Sequence, residues 1–70
     1  MLDERLFFQT RIFRMFCEKT KLAAVASNAL FDKYAIWKYL DDTYEVLHLS
    51  GDECALDEVI AVLKLKGALL

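Results

Sequence analysis

Residues 30–49, LFDKYAIWKYLDDTYEVLHL, hold all three tyrosines, the one tryptophan and the one histidine of this chain. Plotted at 100° per residue, Ile36, Trp37, Leu40, Tyr44 and Leu47 share one face. Tyr39 and Val46 form a side stripe, while Lys38, Asp41, Asp42 and Glu45 point largely away. That period predicts an amphipathic helix over about residues 36–48. An all-α fold follows if the flanking segments agree.

They do. Proline is absent and glycine occurs only at Gly51 and Gly67, so nothing forbids helix over most of the length. Upstream, residues 22–33 are rich in alanine, which lets a neighbouring helix approach closely. Ser27 and Asn28 leave open a late start or a break there, since both are capping residues. The corner at Tyr34–Ala35 shows only as a change in apolar phase. Downstream, Leu49 to Glu53 reads as a loop, with Gly51 free to take the left-handed conformation that ends helices. A last helix over about 55–66 buries Leu56, Val59, Ile60 and Leu63. Its acids come early and its lysines late, as the helix dipole favours, and Gly67 ends it. The first helix spans about 3–19 with Asp3 as N-cap. The expectation is one domain over residues 1–70, a compact bundle of four helices.

The first helix carries more apolar surface than one core contact needs. Leu2, Leu6, Phe13, Phe16 and Cys17 make one stripe, and Phe8, Ile12 and Met15 a second beside it. Together they span roughly 200° of the wheel, where a single buried face needs little over 100°. Composition points the same way. Hydrophobic residues are 57% of the chain, against about 45–50% in an average domain. A chain this short buries only about 60% of its unfolded surface. Phe7, Phe8, Met15, Tyr39, Val62, Leu65 and Leu69 lie beside the main faces of their helices and are the candidate partner-binding residues.

The formal charge is −2, with both signs mixed along the chain and no basic run dense enough for phosphates. Arg5, Arg11, Arg14, Lys19 and Lys21 read as a solvated face. A DNA-binding regulator would need a basic recognition helix, and Asp41, Asp42 and Glu45 oppose that. No apolar run is long enough to span a bilayer, and the acidic start lacks the order of a signal peptide. The expectation is a cytoplasmic protein with neither nucleic acid nor membrane as partner. Cys17 and Cys54 are then expected as buried thiols, and with one distant histidine they make no zinc spacing.

Acid–base chemistry near neutrality would have to pass through His48. Tyr44 and Glu45 lie four and three residues before it, within side-chain reach on a helix. A Glu45–His48 pair at a helix end favours the imidazolium, a poor general base. Ser50 is near in sequence but has no third partner, and no glycine-rich phosphate loop exists. No catalytic residue, cofactor or metal is expected.

Leu30, Phe31, Lys33, Tyr34, Tyr39, Tyr44, Leu47, His48, Asp57 and Ile60 recur in this order in a family of short, uncharacterised bacterial helical proteins classed as a domain of unknown function. Residues 30–60 resemble that family, and the first helix does so only in general character. Ala35 stands where the family usually has glycine, which argues against a left-handed corner there; Leu49 replaces a polar residue. Genes of the family often neighbour a larger protein resembling an ADP-ribosyltransferase toxin. The resemblance therefore implies an antitoxin or accessory subunit of a toxin–antitoxin-like pair, with a structural homodimer as the alternative.

Overall fold

The computed structural model describes residues 3–70. Every regular element among them is helical: α1 (Glu4–Thr20), α2 (Ala24–Lys33), α3 (Ile36–Asp42), α4 (Tyr44–Leu47) and α5 (Asp52–Leu65). Asp3 caps α1, its carboxylate accepting from the amides of Arg5 at 3.0 Å and Leu6 at 3.2 Å. Arg11 grips Asp52 through two guanidinium nitrogens at 3.0 and 3.4 Å, and Lys19 reaches Asp57 at 3.3 Å. These two pairs show α5 running alongside α1 in the same sense, with α2, α3 and α4 forming the return.

Three boundaries differ from the sequence expectation. The long third helix breaks at Thr43, whose hydroxyl donates to the Tyr39 carbonyl at 2.6 Å beside its own amide at 3.0 Å. A side chain competing for a helix carbonyl is a known source of such breaks. The last helix starts at Asp52 rather than near Ala55, because Gly51 is its N-cap. Gly51 does not end a helix in the left-handed region; its φ of 91° and ψ of 155° suit glycine alone. The second helix begins at Ala24 and runs unbroken through Ser27 and Asn28. Ser27 is buried there, and its hydroxyl has no hydrogen-bond partner among the described residues.

Ala35 sits in the left-handed region at φ 55° and ψ 39°, so the corner exists despite the missing glycine. The tight turn between Phe31 and Ile36, both fully buried, imposes it. A Cβ there costs roughly 1 kcal/mol or more. Ala35→Gly removes that strain and loses part of the gain to the freer unfolded chain. The expected result is a net stabilisation of about 0.5–1 kcal/mol, read as a higher urea midpoint. A lowered midpoint would mean the corner does not need a left-handed residue.

The end of α5 is held by a Schellman motif. The Ala68 amide donates to the Leu63 carbonyl at 2.9 Å and the Gly67 amide to Lys64 at 3.1 Å, with Gly67 at φ 98°. Ala68 and Leu63 are both buried, supplying the apolar contact of that motif. Lys66 Nζ then donates to the Tyr34 carbonyl at 2.7 Å, tying this end to the α2–α3 corner.

The core runs through Phe8, Ile12 and Phe16 of α1, Phe31 of α2, Ile36 and Leu40 of α3, Leu47 of α4, and Ala55, Leu56, Val59 and Leu63 of α5. The buried line of α1 is therefore Phe8–Ile12–Phe16, taken mostly from the stripe expected to be secondary. The reason is two-sided packing. Phe13 turns toward the α2 and α3 rings, while Met15 lies beside Leu56 of α5. Leu6, expected on the main face, is exposed. Leu2 lies outside the described residues.

Candidate functional site

The seven candidate partner-binding residues do not form one surface. Phe8 is 1% exposed and belongs to the core, so it is no contact residue. Its position one turn from Ile12 places it against the edge of Tyr44, with ring centroids 5.5 Å apart. Met15 and Val62 are partly buried and also pack on the core. Phe7, Tyr39, Leu65 and Leu69 keep substantial or partial exposure, on three different parts of the molecule.

Phe7 borders an open cleft of about 480 Å³ with Glu4, Phe8, Arg11, Tyr44 and His48. His48 Nδ1 lies 2.6 Å from the Tyr44 carbonyl, and the two rings stack at 4.4 Å. A carbonyl only accepts, so Nδ1 carries a proton and His48 acts as a helix-end cap. Glu45 does not pair with it; that carboxylate lies 3.6 Å from Arg5. Ser50 does not pair with it either, since its hydroxyl donates to the Leu47 carbonyl at 2.8 Å. Arg11 is engaged by Asp52, whose hydrogen bond is the main reason its pKa is raised. The cleft therefore brings His48 near aromatic rings, the Glu4 carboxylate and an engaged arginine.

A second groove lies between α3, α4 and the first half of α5. Tyr39, Thr43, Val46, Leu47, Ser50, Cys54 and Glu58 enclose about 440 Å³. Thr43 lines it at the break between α3 and α4, and Val46 sits on the single turn that follows. Val46 is 71% exposed. Glu58 is the one carboxylate of the lining. Cys54, expected buried, is an exposed free thiol on this wall, and Cys17 is a second free thiol, partly exposed on α1. Tyr39 and Val46 share the side stripe that the sequence pattern shows, whereas Cys54 and Glu58 come from an element that only the tertiary fold brings alongside.

Tyr39 reports on this groove electrostatically. Burial and, second, the charge of Glu58 push its phenol above the ordinary value near 10. The folded state thus holds the proton more tightly than the unfolded state. That contribution to stability is complete below pH about 10 and is lost as pH rises through the higher folded value. Denaturation midpoints should fall on that alkaline limb, and Tyr39→Phe should flatten it. The tyrosinate absorbance lost in Tyr39→Phe should be a component that titrates above the ordinary value near 10; a component at or below that value would contradict the groove geometry.

A third groove, about 420 Å³, is lined by Lys19, Thr20, Leu22, Ile60, Lys64, Leu69 and Leu70. Leu65 lies on the last turn of α5 outside its lining. No protein-family model matches the chain, and no curated protein or solved structure is significantly similar to it. Among the described residues no helix is long and apolar enough to cross a membrane.

Proposed function

We propose that this chain is a protein-binding helical module with no catalysis of its own, and that the α3–α4–α5 groove is its docking site. The occupant is an amphipathic helix of a protein partner, laying an apolar strip against Tyr39, Val46 and Leu47. The supporting observation is Val46, an exposed aliphatic side chain on a single helical turn, set beside a half-buried tyrosine. Helix-in-groove recognition uses such sites, with anchors spaced one turn apart. Glu58 on the wall calls for a lysine or arginine on the partner helix.

The same carboxylate argues against a homodimer through this groove. A two-fold interface places a surface against its own copy, so it would bring both Glu58 carboxylates into one interface. No lysine or arginine lines the groove to offset that repulsion. In the finer reading, which rests on the resemblance of residues 30–60, the chain is the antitoxin or accessory subunit of a larger ADP-ribosyltransferase-like toxin encoded beside it.

Co-expression with the neighbouring gene product, followed by size-exclusion mass measurement, tests this. The chain alone should run at its 8.1 kDa monomer mass and shift into a stoichiometric complex with the partner. Val46→Glu should weaken the complex about tenfold or more while leaving the chain folded. A dimer that survives Val46→Glu, together with no complex, would sink the reading.

A further inference from the structure

The end of the bundle opposite the Asp3 cap differs in charge from the rest. Lys19, Lys21, Lys64 and Lys66 lie in or just after the last turns of α1 and α5, with Lys33 at the α2–α3 corner that Lys66 ties to this end, against Glu18, Asp32 and Asp57. That leaves +2 at this end; the whole chain carries −2, so the remainder carries −4. Lys19 is tied to Asp57 and Lys66 to a neutral carbonyl. Lys21 and Lys64 make no ion pair among the described residues. Lys19 and Lys64 line one groove at this end, whose positive charge the molecule itself only partly neutralises.

Leucines stand among them. Leu69 is 97% and Leu65 87% exposed, and Leu22, Ile60 and Leu70 line the groove beneath Leu69. We propose that this end docks on the surface of an anionic phospholipid bilayer. Leu65 and Leu69 enter the boundary between headgroups and acyl chains, and the lysine stems lie along it with their heads on lipid phosphates. This goes against the expectation of no membrane partner, which rests on the lack of a spanning run; peripheral binding needs none. Exposed leucines at the same end as these lysines match an interface that is apolar below and negatively charged above.

Cosedimentation of the full chain with vesicles tests this, comparing phosphatidylcholine alone with phosphatidylcholine plus phosphatidylserine. At least about tenfold more protein should sediment with the anionic vesicles, and raised salt should release it. Lys64→Glu and Leu69→Glu should each lower binding about tenfold, with circular dichroism confirming the helix content. Val46→Glu, in the separate protein-docking groove, should leave it unchanged. Sedimentation with neither vesicle, or equally with both, would overturn the proposal even if a variant misfolds, since the unmodified chain decides it. Binding of poly-glutamate without vesicle binding would overturn it in favour of an acidic protein contact.

Discussion

Phe31→Ala should remove a large share of the stability of this fold. Phe31 is fully buried, with ring centroids 5.2 Å from Phe13, 5.1 Å from Phe16 and 4.9 Å from Trp37. It joins α1, α2 and α3 in one edge-to-face cluster, so its loss leaves a cavity bounded by all three. Truncating a buried phenylalanine costs about 3–5 kcal/mol. A domain of this length holds roughly 3–10 kcal/mol in total. Phe31→Leu keeps much of the volume and should cost less, about 1.5 kcal/mol. Urea unfolding followed by circular dichroism separates the two. Equal, small losses would mean that the ring cluster does not organise the bundle.

The second large effect distinguishes neighbours. Phe8→Ala should cost about 3–5 kcal/mol, while Phe7→Ala should cost less than about 1 kcal/mol. Phe8 is buried between α1 and Tyr44, and the Arg11 guanidinium sits 5.8 Å from its ring centre. Phe7 is 50% exposed on the rim of the His48 cleft. Two consecutive phenylalanines thus have unrelated roles, set by 100° of helix rotation. Comparable losses at both positions would place the buried line of α1 elsewhere.

The same pair shows what the amino-acid order makes legible. Helical period identifies all the long helices, and Asp3 and Gly67 mark two of their ends, whereas Asp57 and Glu58, expected early in the last helix, lie in its middle. Period alone does not say which of two adjacent apolar stripes on α1 is central. That depends on having helices on both sides, so Phe13 and Met15 flank a buried line through Phe8, Ile12 and Phe16. The break at Thr43 comes from one hydroxyl competing for the Tyr39 carbonyl, a contest that apolar spacing does not register. The start of α5 was masked because Gly51 suits a helix end as well as a helix beginning. At Ala35, burial of Phe31 and Ile36 outweighs a local preference against the left-handed region.

For the docking site the consequence is larger. The surplus apolar surface of α1 first suggested a partner, yet most of it is consumed by the core. Val46 and Tyr39 remain, and the groove they border exists only because α4 is a single turn packed against α5. Cys54 and Glu58 complete it from a distant part of the chain.

Amide shift mapping by NMR during titration with the partner tests that site most directly. Changes should concentrate in residues 39–47 and 54–58, with little change at Leu6, Phe7 or Leu69. Changes centred on the His48 cleft or on Leu69, with the groove silent, would contradict the assignment of the α3–α4–α5 groove as the docking site.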